Sequence, residues 1–117
     1  MGKFKSHLEE VVKPTWNYAG RIQDETGHWC NAALGLAGEA GEVADLVKKM
    51  RFHSEKQMLR TDDLKSELGD VIYYWMRLVS MAGFTFDEVL TANRAKLESR
   101  HPELGKVKER FGAAAIK

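Results

Sequence analysis

One short pattern occurs twice in the chain and limits its folding more than any other feature. Glu39-Ala40-Gly41-Glu42-Val43 is answered 28 residues later by Glu67-Leu68-Gly69-Asp70-Val71. Each copy lies in a stretch whose apolar residues recur at spacings of three and four. These are Leu36, Ala40, Val43, Val47 and Met50 in the first, and Leu64, Leu68, Val71, Trp75, Leu78 and Ala82 in the second. That period is the apolar stripe of a packed helix. At about 100° per residue, Glu39 and Glu42 project about 60° apart, with Glu39 at the edge of the stripe between Val43 and Leu46. Glu67 and Asp70 sit in the same way relative to Leu64 and Val71. If the two helices pack antiparallel, four negative charges converge at the border of a shared core. Desolvating even one carboxylate costs several kcal/mol, and like charges at close range add repulsion, so such a pair of helices needs a compensating cation.

The rest of the chain also reads as helical, with no alternating β-branched stretch long enough for a strand, and predicts an all-α fold of four helices. The first helix spans roughly residues 4–23 and carries Leu8, Val11, Val12, Trp16 and Ala19, with Pro14 expected to kink or divide it. The second covers about 29–51. Polar residues 52–61 form a connection, after which Thr61 or Asp62 caps a third helix running to Ala82, with Gly83 as its stop. Thr85-Phe86-Asp87-Glu88 has the form of a capping box and opens a fourth helix that ends before His101-Pro102. Residues 103–117 form a tail without assignment. At 117 residues the chain fits a single domain over 1–117.

Several function classes are excluded early. Eighteen Lys and Arg against seventeen Asp and Glu leave a net charge of +1, too little to neutralise a run of phosphates, so no polynucleotide partner is expected. The longest apolar run, Val71 to Met76, is far short of a membrane span, and Glu9 and Glu10 stand where a signal peptide carries its apolar stretch. A cytoplasmic protein with no membrane partner is the expectation. The single cysteine, Cys30, has no partner for a disulfide and no nearby base, and reads as a core or interface thiol.

The carboxylates carry the chemistry. Lys48, Lys49, Lys65 and Arg77 are the basic residues near enough in sequence to pair with them, but Lys48 and Lys65 project well away from the carboxylate edge. A divalent cation held by oxygen ligands alone is the favoured compensation, and without His or Cys in either motif this means Mg²⁺, with Mn²⁺ possible, rather than Zn²⁺. A di-iron carboxylate bundle requires Glu-x-x-His, and here Glu42 and Asp70 occupy the third positions. On the fourth helix Asn93, Lys96 and Arg100 are spaced by three and four, which lines up an amide, an ammonium and a guanidinium as a phosphate site requires. Tyr74, one turn beyond Asp70, is placed either to reach a sugar or phosphate or to serve as a partly buried core tyrosine. Trp75 reads as core, while Trp16, Trp29 and His28 are open to substrate without an assigned role.

At these residues the sequence resembles the MazG-like nucleotide pyrophosphohydrolases of the all-α nucleoside triphosphate pyrophosphatase superfamily. Residues 34–49 look like the family's first metal-binding helix, Glu67-Leu68-Gly69-Asp70-Val71 like its second, and Asn93-Arg94-Ala95-Lys96-Leu97-Glu98-Ser99-Arg100 like its Asn-x-x-Lys-Leu-x-x-Arg element. The likeness covers roughly residues 31–102, with Gly38 standing where many members carry a further Glu. It implies a four-helix bundle-like fold assembled as an oligomer, and Mg²⁺-dependent hydrolysis of a nucleoside triphosphate to the monophosphate and pyrophosphate. Glu39, Glu42, Glu67 and Asp70 would be the metal ligands, and Glu39 or Glu42 would take the proton of the attacking water. Lys96 would have a catalytic role on the leaving group, while Tyr74, Asn93, Lys96 and Arg100 would bind substrate. The alternative class is a catalytically silent bundle that binds a nucleotide or a partner protein. Gly41 and Gly69, equivalent in the two motifs and turned away from the stripes, cost near 1 kcal/mol apiece relative to Ala; they are either solvent-exposed or approached closely by a second subunit, and the resemblance favours the latter, a homo-oligomer that is a dimer or tetramer.

Overall fold

A computed structural model describes residues 2–52 and 61–103, all of whose regular structure is helical. The chain divides into two compact units, Met1–Phe84 and Thr85–Lys117. Three helices build the first: α1 over residues 2–15, α2 over Glu25–Phe52 and α3 over Thr61–Met81. Helix α4, Phe86–Arg100, belongs to the second. Most of the connection expected over 52–61 lies outside the described residues, as does the tail beyond Glu103.

Pro14 shapes α1 without breaking it. A proline ring collides with the carbonyl four residues back and offers no N–H. The helix widens before it, running as α-helix over Gly2–His7, as a π-turn over Leu8–Val12 in which Lys13 N–H donates to the Leu8 carbonyl, and as α-helix again over Lys13–Thr15. It then ends, eight residues earlier than its sequence pattern predicts, because Trp16 turns to extended backbone at φ −68°, ψ 120°. Asn17 follows with φ 55°, a left-handed conformation that Asn tolerates. Its side-chain amide clamps the loop, accepting from Ile22 N–H at 2.9 Å and donating to the Ile22 carbonyl at 3.0 Å.

Helix α2 starts four residues before the sequence pattern does, since Asp24 Oδ1 accepts the Gly27 N–H at 2.7 Å and satisfies a donor of the first turn. At the other end of the pair, α3 closes as anticipated at Gly83. With φ 82° there, Gly83 N–H donates to the Ser80 carbonyl and Phe84 N–H to that of Val79, the two bonds of a Schellman motif. Thr61 and Asp62 are themselves in the first turn of α3 rather than preceding it. The capping box of α4 is complete, with Thr85 Oγ1 accepting from Glu88 N–H at 3.1 Å and Glu88 Oε1 from Thr85 N–H at 2.9 Å.

Helices α2 and α3 pack against each other, and α1 lies on α3 through its π-turn. The direction of the α2–α3 pair is antiparallel: Gly35 faces Tyr74, while one turn later Glu39 meets Asp70 and Glu67. Leu8 and Val12 from α1, Ala32 and Met50 from α2, and Met76 and Val79 from α3 are buried. Val12 and Met76 are the largest of the fully enclosed side chains, and burial of each contributes about 1.5–3 kcal/mol.

Both stripes are rotated relative to the sequence reading. In α2 the row with reduced exposure is Ala32, Leu36, Glu39, Val43, Leu46 and Met50, whereas Ala40 and Val47 are exposed. In α3 the deepest residues are Met76 and Val79, Trp75 is only half-buried, and Leu68 and Ala82 are exposed. Apolar residues surround much of α2, so its period alone does not fix its rotation, and a close contact with α3 constrains it. That contact is at Gly35, where a Cβ would run into the Tyr74 ring. Gly35→Ala should therefore destabilise the protein by about 1–3 kcal/mol through overpacking. Gly38→Ala, where a Cβ meets nothing, should stabilise it by up to about 1 kcal/mol through helix propensity. Urea denaturation of the two variants checks the contrast.

Candidate active site

Three of the four acidic residues of the repeated motif come together. Glu39 on α2 and Glu67 and Asp70 on α3 each present a carboxylate oxygen, and the three lie within 4.8 Å of one another. Glu39 and Glu67 are half-buried and Asp70 is exposed. Glu42 is exposed and outside this group, although its charge still acts on Glu39. The rotation of α2 explains the difference, because it turns Glu39 into the inward row and Glu42, 60° or so further round, toward solvent.

Like charges in one place raise proton affinity. Desolvation is the largest cause of an upward shift of the Glu39 carboxyl, followed by the charges of Asp70, Glu67 and Glu42. Two of the four basic residues named as possible partners are engaged elsewhere: Lys49 pairs with Asp45 at 2.8 Å, and the Arg77 guanidinium lies over the Trp16 ring, 4.9 Å from its centroid. Among the described residues, Glu39, Glu67 and Asp70 form no ion pair. The donor set, all hard oxygen with surplus negative charge, fits Mg²⁺ or Mn²⁺.

Tyr74 stands beside the acids. Its ring lies against Gly35 and makes edge contacts with Trp16 (6.0 Å, 74°) and Tyr73 (5.3 Å, 80°). Burial first, then the charge of Glu39, pushes its phenol above the ordinary value, so it stays a neutral donor. Trp16, unassigned by the sequence, is the hub of this aromatic group. It donates Nε1–H to His28 Nδ1 at 2.9 Å, and its ring meets Tyr73, whose hydroxyl is 2.7 Å from Thr15 Oγ1. No spacing rule marks these residues, since the contacts join α1, α2 and α3. Cys30 is exposed, so it is not a core thiol.

Asn93, Lys96 and Arg100 occupy one exposed face of α4 in the second unit. Arg94, between them in sequence, is instead paired with Glu98 at 2.7 Å.

An all-helical chain with an acidic cluster on two facing helices has recognisable relatives. Residues 31–105 match the MazG nucleotide pyrophosphohydrolase domain, well over half of the chain, and the chain belongs to that family. The Gene 37 protein of Mycobacterium phage L5 is 39% identical over 69 residues, covering 57% of this chain and 60% of that protein. The chain thus spans less than two thirds of the length of that relative. No solved structure matches. Among the described residues no helix is long and apolar enough to cross a membrane.

The raised Glu39 carboxyl has a signed consequence. A carboxyl whose folded-state pKa exceeds its unfolded value opposes folding as pH rises past the unfolded value of about 4.3, and the penalty stays constant above the folded value. Glu39→Gln should therefore melt higher than the parent protein at pH 7 without divalent cation, with the advantage vanishing below about pH 4. Adding Mg²⁺ should raise the melting temperature of the parent and not that of the variant. Calorimetry at the two pH values, with and without Mg²⁺, provides the check.

Proposed function

We propose that the protein hydrolyses a nucleoside or deoxynucleoside triphosphate to the monophosphate and pyrophosphate, with Mg²⁺, or Mn²⁺, as its cofactor. The observation that carries this reading is the cluster of Glu39, Glu67 and Asp70, which has no basic partner among the described residues, in a chain of the MazG family. These three residues hold the metal, with Glu42 one turn along as a further ligand or a base. When bound, the metal supplies positive charge to the phosphate oxygens. Glu39 or Glu42 accepts the proton of the attacking water. Lys96 and Arg100 share the charge that grows on the pyrophosphate leaving group, and Asn93 and Tyr74 hold the substrate by hydrogen bonds.

The protein acts as a homo-oligomer, a dimer or tetramer, and in the cytoplasm. Support for assembly comes from large apolar side chains left open on the described surface, among them Leu34 at 72% and Leu68 at 50% exposure, together with Gly41 and Gly69, beside which a Cβ would meet nothing. Burying such side chains against a second copy is favoured by the hydrophobic effect.

Release of pyrophosphate from a panel of nucleoside triphosphates with Mg²⁺ tests the activity. Asp70→Ala and Glu67→Ala should abolish turnover, and Lys96→Ala should lower it by about ten- to a thousand-fold with little change in melting temperature. No pyrophosphate from any nucleotide would leave a silent bundle that binds a nucleotide or a protein. Light scattering that returns a monomer of 13.3 kDa together with full activity would remove the oligomer.

A further inference from the structure

A cavity of about 430 Å³ opens between the first turns of α2, with the loop before it, and the last turns of α3. This volume lies within the usual range of small-molecule sites. None of its lining residues belongs to the acidic cluster. His28, on its wall, precedes Glu39 by about 16 Å of helix and differs from it by about 20° in direction. Arg77, also on the wall, follows Asp70 by about 10 Å with a similar phase. The cavity therefore lies on the carboxylate face of the helix pair, at a separation that a sugar and its phosphates can bridge.

Its polar groups are sorted into donors and acceptors. Because His28 Nδ1 accepts from Trp16, the ring proton is on Nε2, leaving a donor. Arg77 adds a second donor group, and its buried Nε has no acceptor among the described residues. Gln23 donates Nε2–H to the Gly20 carbonyl at 2.9 Å, which leaves its oxygen to accept. One oxygen of Asp24 is held by the Gly27 N–H, and its other oxygen and the Glu25 carboxylate are acceptors too. Trp29, 38% exposed, adds an aromatic face.

We propose that this cavity binds the base of the nucleotide being hydrolysed and selects bases that carry an exocyclic amino group. A flat heteroaromatic ring stacks on Trp29, its amino group donates to the acceptors at Gln23, Asp24 and Glu25, and its carbonyl or ring nitrogen accepts from Arg77 and His28. Cytosine, adenine and guanine carry that amino group, whereas uracil and thymine turn a carbonyl toward the carboxylates and are disfavoured. The identity of the base as the substrate's own rests on the hydrolytic reading above. The cavity's preference does not.

Titration calorimetry of the full chain with cytidine, adenosine, guanosine, uridine and thymidine, without divalent cation, is the first arm of the test, followed in parallel by the Trp29 indole resonance. The expected result is binding of at least one amino-bearing nucleoside with a shift at Trp29, and at least about five-fold weaker binding of uridine and thymidine. Trp29→Ala should weaken binding at least about five-fold, the loss of one base–aromatic stack, and Gln23→Ala, a change at an exposed loop residue, should narrow the gap between cytidine and uridine. No shift at Trp29, or uridine bound as well as every amino-bearing nucleoside, would overturn the proposal. In the second arm, Trp29→Ala should raise KM for the preferred triphosphate with kcat little changed. An unaltered KM would show that the bound base is not the substrate's. Nucleoside binding without pyrophosphate release from any triphosphate would keep the cavity and sink the hydrolytic reading instead.

Discussion

Repulsion among Glu39, Glu67 and Asp70 sets the terms on which α2 and α3 can close against each other. The antiparallel pair places the three carboxylates within 4.8 Å while Lys49 is occupied by Asp45 and Arg77 by the Trp16 ring. Among the described residues no ion pair offsets the charge, so the burial of Val12, Met76 and Val79 holds together a contact that its own polar groups oppose. The stability of the pair is in this way tied to the charge on the same three side chains.

Tyr74 is where packing and chemistry meet. Its ring needs the bare backbone of Gly35, and that close approach fixes how far α2 is rotated, which in turn decides that Glu39 and not Glu42 enters the inward row. Trp16 then closes over the aromatic pair and ties it to His28 and Arg77. The placement of the acids thus goes with one glycine and the aromatic ring packed on it.

Much of this was legible in the sequence where the cause is local. The Thr85 box and the Gly83 stop are short-range hydrogen-bond patterns, and both fall where the residues predict. The repeated acidic motif named all three clustered carboxylates for a similar reason, since a helix fixes spacing and face together. Rotation was not legible, because Ala40 and Val47 satisfy the same period as the residues that face α3. The start of α2 escaped because its signal is a single Asp24 cap ahead of a glycine. Contacts such as Trp16 with His28 and Arg77 join distant parts of the chain, and no pattern of spacing encodes them.

The π-turn before Pro14 has a meaning of its own. A π-turn is geometrically an α-helix that has taken in one extra residue without breaking its ladder. Everything beyond it is displaced in phase, and Trp16, which follows the last turn of α1, inherits the displacement. Chain length between Leu8 and Trp16 is therefore a setting of angle as much as of distance. Shortening it by one residue would leave a good helix whose tryptophan points about 100° away from His28, so the number of residues in this stretch matters as well as its buried side chains, Leu8 and Val12.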